Sequence, residues 1–199
     1  MPELDTVFPK LKSRPNPLRT MFKTILIIAA VAVIGFVILV LTRPADFRLT
    51  RSTTIAAAPS VVFAQVNDFH KWDAWSPWAK MDPNATNSFE GPAEGVGSKF
   101  SWAGNNKAGA GSMTITESRP SDLVQLRLEF IRPFTATNTT EFSFQPQDGK
   151  TLVTWTMTGK NNFMAKAFSL FMDCEKMVGP DFEKGLANLK AVSEATTGT

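Results

Sequence analysis

The sequence predicts an α+β domain, in which an antiparallel sheet covers one long C-terminal helix, carried behind a single membrane-spanning helix. Three observations predict it. Residues 25–41 (ILIIAAVAVIGFVILVL) run without a charge, a series of strand-length segments follows between Gly and Pro punctuation, and residues 175–194 repeat apolar side chains at helical intervals.

The apolar run comes first. With Phe22, Thr24 and Thr42 it reaches the roughly 20 residues that a bilayer-spanning helix needs, and it is apolar all round rather than on one stripe. No small-residue cleavage site lies just beyond it in Leu41-Thr42-Arg43-Pro44, so an uncleaved anchor over residues 22–42 is expected rather than a signal peptide. Residues 1–21 form a basic tail broken by Pro2, Pro9, Pro15 and Pro17, expected to be flexible, and Met21 is an alternative translation start. Five of the 21 Lys and Arg but two of the 18 acids lie in residues 1–23, so 16 of each remain in residues 43–199. The charge asymmetry predicts a cytoplasmic N-terminus and a C-terminal domain on the extracytoplasmic side, although Arg43, Arg48 and Arg51 on the other flank oppose it.

The remaining chain, 43–199, is expected to be one domain. Its balanced charge lacks the basic stripe that neutralises phosphates, so nucleic acid is excluded despite a pI near 9.1. Cys174 is the only cysteine, and His70 the only histidine, so neither an intrachain disulfide nor a zinc cluster is expected.

Within this domain, residues 47–57 alternate as a strand, and Pro59 suits the first turn of a short helix through VVFAQV. Trp72, Trp75 and Trp78 recur every three residues on one face of a helical or turn-rich stretch broken by Pro77. Strands are then expected in residues 97–104, 109–120, 122–133, 135–147 and 149–160. Alternation places Phe100, Trp102, Met113, Ile115, Val124, Leu126, Leu128, Phe130, Phe142, Phe144, Val153, Trp155 and Met157 on one face, and Gln125, Arg127, Glu129, Thr154 and Thr156 on the other. A short helix over residues 162–171 precedes the terminal helix, whose stripe is Val178, Phe182, Leu186, Leu189 and Val192.

The opening IAAAPSVVFAQVNDFHKWDAWSPW, the hairpin GPAEGVGSKFSWAG and the ending VGPDFEKGLANLK together resemble the START-like or SRPBCC superfamily, most nearly its polyketide cyclase/dehydrase and lipid-transport branch, over residues 46–195. The resemblance implies a helix-grip fold, a curved antiparallel sheet wrapped around the long C-terminal helix. It implies a hydrophobic small-molecule ligand, lipid-like or isoprenoid, held between sheet and helix without a cofactor, with membrane lipid as a further partner. The candidate ligand contacts are then Phe100, Trp102, Leu126, Leu128, Phe130, Phe142, Trp155, Met157, Phe182 and Leu186. Such periodic apolar residues are also what a packed core requires. Two other functions stay open: a cyclase/dehydratase-like enzyme using the same cavity, and a structural or stress-related interaction module whose cavity is filled by its own side chains.

Signals for catalysis are weak, and no catalytic residue is assigned. His70 would need Asp68, Asp73 or Cys174 brought to it by folding, whereas Asp68 reads as a helix cap and His70 as a surface group. Cys174 sits between acids that disfavour a thiolate. Arg127 and Glu129 lie on the outward face, and nothing fixes a distance between Glu117 and Glu141. Gly104, Gly109 and Gly111 lack the GK[ST] ending of a phosphate loop and read as a flexible hairpin tip able to gate a cavity mouth. Asn84 and Asn138 fit the N-x-T sequon, relevant only in a glycosylating pathway.

Overall fold

The computed structural model describes residues 17–171 and 174–197. The chain divides into two compact units at Arg43 and Pro44. The first unit holds helix α1, Pro17–Leu41, within which Met21–Leu41 is long and apolar enough to cross a membrane. Residues 1–16 of the expected tail, and with them the Met1 start, lie outside the described residues, as do Met172 and Asp173 beside Cys174.

In the second unit the strands are β1 (Asp46–Ile55), β2 (Thr86–Glu90), β3 (Lys99–Ala103), β4 (Ala110–Arg119), β5 (Leu123–Arg132), β6 (Ala136–Gln147) and β7 (Lys150–Lys160). They form one antiparallel sheet in the order β1-β7-β6-β5-β4-β3-β2, so β2 to β7 is a meander and β1 closes its far edge. The Asp148-Gly149 turn between β6 and β7 has positive φ at both residues, the backbone a tight hairpin twist demands. Register shifts in β4 between Ala110 and Gly111 and between Ile115 and Glu117 mark bulges, which bend a strand and increase its twist.

Three helical segments complete the unit: α2 (Pro59–Val66), α3 (Phe163–Phe168) and α4 (Cys174–Thr197), with a short 3-10 helix at Phe69–Ala74. Proline at the first turn of α2 fills a position whose N–H has no intrahelical partner. The 3-10 helix is capped by Asp68, whose carboxylate accepts from the His70 backbone N–H. Asn162 caps α3 by accepting from Ala165 N–H at 2.9 Å. α4 carries Pro180 inside its first half and lies along β1: Lys190 Nζ donates to Thr54 O at 3.0 Å, and Ala56 N–H donates to Glu194 Oε1 at 2.7 Å.

The expected fold class and face assignment hold. Every strand expected from the pattern is present, but β2 was not among them. All five of its residues are exposed, so TNSFE has no buried face to impose alternation, and it is a strand because it pairs with β3, Phe89 opposite Phe100.

Candidate functional site

Alternation and register together arrange the inward side chains in rows across the sheet. One row runs Ile115, Leu126, Thr140, Met157 and Leu49, and the next, further from the β1 entry, runs Val124, Phe142, Trp155 and Arg51. On the other side, toward the end where β1 begins, lie Met113, Leu128, Asn138, Gly159 and Phe47. Phe100 and Trp102 extend the inward surface on β3, opposite Met113 and Gly111.

α4 fills the space over the row of Trp155. The Phe182 ring stacks on the Trp155 indole at 3.9 Å between centroids, and Phe142 stacks on its other neighbourhood at 4.7 Å. Trp75 and Trp78 meet the same indole edge-on at 6.0 and 5.8 Å, the geometry aromatic quadrupoles favour. The tryptophans of the turn-rich segment are held by their N–H groups, Trp72 donating to Val66 O and Trp75 to Gln65 O. Gly185 lets α4 approach: a Cβ there would lie 2.8 Å from Trp155 Cζ3.

This packing divides the ten candidate contacts. Leu126, Phe142, Trp155, Met157, Phe182 and Leu186 are buried within the core cluster. Phe100, Leu128, Trp102 and Phe130 are only half-buried, and they form an apolar trough with Met113 toward the β1 entry. Trp102 lies flat across Gly111, where a Cβ would sit 2.6 Å from its Cη2, donates its indole N–H to Ala108 O at 3.0 Å, and meets Phe130 edge-on at 6.0 Å. Gly104, Gly109 and Gly111 thus belong to the hairpin that seats Trp102; Gly109 has φ of +66°, and Gly104 is tied to it by a 2.8 Å backbone bond.

Among the described residues three buried side-chain polar atoms have no hydrogen-bond partner, Trp155 Nε1, Thr140 Oγ1 and, on α4, Ser193 Oγ. Thr140 is 3% exposed and stands between Leu126 and Met157, one strand step from the trough row. Asn138, also inward and buried, makes only a 3.9 Å contact from Nδ2 to Met157 Sδ. Of the two sequon asparagines, Asn138 therefore faces the interior, where a glycan has no room, whereas Asn84 is exposed.

Arg51 is the charged inward residue that periodicity did not single out. It turns toward α4, with Nε 2.8 Å from Glu183 Oε1 and Nη1 3.2 Å from Glu175 Oε1. The hydrogen bond that Arg51 donates to Glu183, with further support from Glu175, raises its pKa above the ordinary value. Gly179 makes room for the guanidinium, since a Cβ there would lie 2.6 Å from Nη2.

The other candidate groups stay apart. His70 Nδ1 lies 2.9 Å from Asp68 Oδ1, and the imidazole stacks on Phe89 at 4.1 Å while half of it faces solvent. Glu117 and Glu141 flank Gln125 on the outward face; Glu117 pairs with Arg119 and Gln125 donates to Glu141. Arg127 and Glu129 form an outward ion pair at 3.3 Å. That outward face also carries an open groove of about 700 Å³ across Arg48, Thr158, Thr139 and Arg127. Among the described residues no cluster of His, Cys, Asp and Glu could hold a metal ion.

Comparison with known proteins places this geometry. Residues 46–194 match the family model of polyketide cyclase/dehydrase and lipid-transport proteins. No curated protein matches the chain. Among solved structures, the chain is similar to protein CV1439 from Chromobacterium violaceum, with TM-score 0.53, 15% identity, 76% of this chain and 99% of that one covered. It is similar to the major latex-like protein 151 of Panax ginseng, with TM-score 0.54, 15% identity, and 75% and 99% covered. The di-domain ARO/CYC StfQ of the steffimycin biosynthetic pathway gives TM-score 0.57 and 12% identity, over 78% of this chain and 53% of that one. At these identities the likeness establishes the helix-grip fold.

Proposed function

We propose that this chain, which belongs to the family of polyketide cyclases/dehydrases and lipid-transport proteins, is a membrane-tethered carrier of a hydrophobic small molecule. α1 is its anchor and residues 43–199 its binding domain. The observation that carries the reading is the half-buried trough of Phe100, Trp102, Leu128 and Phe130 beside a core otherwise packed by its own side chains. A surface of that composition is costly to leave in water and is the ordinary lining of an apolar ligand site.

In this reading Leu126, Phe142, Trp155, Phe182 and Leu186 are the floor on which the trough is built, and the ligand lies over Leu128, Phe130 and Trp102. Thr140 stands ready to bond a polar group on a ligand that reaches past Met113 and Leu128. The ligand is apolar along most of its length and carries at most a few neutral polar atoms, because the inward rows offer hydroxyl and amide groups there and Arg51 is engaged by α4.

The test is to reconstitute the full chain into vesicles of one synthetic phosphatidylcholine after purification from a lipid-containing host. Organic extraction and mass spectrometry then follow, with Leu128→Arg as a parallel sample. A non-bilayer lipid or isoprenoid retained near one per chain and lost in Leu128→Arg supports the carrier. Retention of nothing beyond the added lipid, in both proteins, removes it.

A further inference from the structure

The end of the sheet where β1 begins carries a second apolar surface, outside the trough. Phe134, in the loop between β5 and β6, is 60% exposed, and Phe171, just after α3, is 80% exposed. Phe163, Met164 and Phe168 of α3 are exposed as well. The surface is continuous across the two elements, since the Phe134 and Phe168 rings meet at 5.6 Å. Large exposed apolar residues elsewhere in this unit, such as Met81, Val96 and Phe89, lie in other loops and strands. Isolated cases of that kind need no explanation, whereas a cluster of five does.

Asn161 N–H donates to Ala45 O at 2.7 Å, and Asn161 Nδ2 to Pro44 O at 3.4 Å. The start of α3 is therefore bonded to the residues through which the chain leaves for α1. α1 ends at Leu41 and β1 starts at Asp46, so residues 42–45 are the whole tether. Four residues span at most roughly 14 Å fully extended. In sequence, Arg132 stands two residues before Phe134, Lys160 three before Phe163, Lys166 within α3, and Lys176 five after Phe171. Lys and Arg among aromatics suit the headgroup level of a bilayer, where their stems lie along apolar surface and their charges reach anionic lipid.

We propose that Phe134, Phe163, Met164, Phe168 and Phe171 form a bilayer-docking surface, seated among the headgroups of the membrane that holds α1, with anionic lipid under the basic rim. This rests on α1 being a membrane anchor. Docking places the trough at the lipid surface, since Phe130 of the trough and Phe134 of the docking surface are four residues apart on one continuous stretch. An apolar ligand then passes between leaflet and trough without crossing open water.

The experiment uses the full chain in vesicles of phosphatidylcholine with one-third phosphatidylglycerol, with and without brominated acyl chains. An environment-sensitive fluorophore is placed on Phe171→Cys or, at the opposite end of the sheet, on Asp148→Cys, each with Cys174 replaced by Ala. A blue-shifted probe at 171, quenched by bromolipid at least threefold more than at 148, is the expected result. A probe at 171 as water-exposed as at 148, in protein that resists carbonate extraction, overturns the docking surface and leaves the anchor standing. Extraction by carbonate removes the anchor and the docking surface together. A blue shift at 171 without bromolipid quenching means that a protein, a second copy included, covers the patch, and it overturns the proposal.

Discussion

The Phe182 ring of α4 stacks on the Trp155 indole of β7 at 3.9 Å with 14° between planes, and this contact closes the middle of the grip. Where it lies there is no room for a ligand, and the half-buried apolar residues of the inward face lie toward the β1 end.

Phe182→Ala removes one face of that stack and leaves a cavity among Trp155, Trp78 and Leu186. A loss of about 3–5 kcal/mol in unfolding free energy is expected, as for other buried aromatic truncations. Denaturant unfolding of the solubilised chain, followed by tryptophan fluorescence, measures it. A loss below about 1 kcal/mol would mean that the helix does not seal this part of the interior.

Leu128 separates binding from folding, because it is half-buried in the trough. Leu128→Arg is expected to lower retained ligand at least tenfold. Its unfolding midpoint falls by much less than that of Phe182→Ala, since a long Arg stem can turn its charge to the open side. Equal losses of stability for the two variants would put Leu128 in the core instead.

Thr140→Val exchanges an unpartnered buried hydroxyl for a methyl of similar size. Removing an unsatisfied polar group is expected to stabilise the ligand-free protein by about 1 kcal/mol, against the usual direction of core substitutions. If the bound molecule bonds Thr140 Oγ1, its affinity falls at the same time. Thermal unfolding with and without ligand reads the two effects separately. Destabilisation of the empty protein would show that the hydroxyl has a partner.

Gly179 and Arg51 form a steric and electrostatic pair. Gly179→Ala ordinarily gains about 1 kcal/mol of helix propensity. Here the new Cβ meets the Arg51 guanidinium and displaces it from Glu183 and Glu175. The gain is expected in an Arg51→Met background and reduced in the natural one, and a double-mutant cycle in Tm at low and high salt distinguishes them. Identical shifts in both backgrounds would make the Arg51 contacts energetically silent.

Much of the domain was legible because burial imposes a period. Leu126, Phe142, Trp155, Phe182 and Leu186 could be placed on the inward face from spacing alone, since one face of each strand or helix is dry. The division of the candidate contacts into floor and trough was not legible. It depends on where α4 crosses the sheet, which Gly185 and Gly179 set by close approach rather than by hydropathy. β2 was invisible for want of a buried face, and Arg51 because its charge reads as solvated until two glutamates of α4 stand over it. Residues 162–171 were legible only as a short helix, because spacing cannot tell whether apolar residues on so short a segment meet the core or are left bare.

The pairing of β1 with β7 also has a consequence in time. The Thr50 and Thr156 hydroxyls meet at 3.2 Å although 106 residues separate them. At about 5–20 residues per second, the ribosome needs roughly 5–20 s to supply the second strand after the first has emerged. β3 to β7 can zip onto their predecessors as they appear, each to its nearest neighbour, but β1 must wait unpaired until the last hairpin is finished. The first strand made is the last to be enclosed, and a factor that holds nascent chains would have its widest window there.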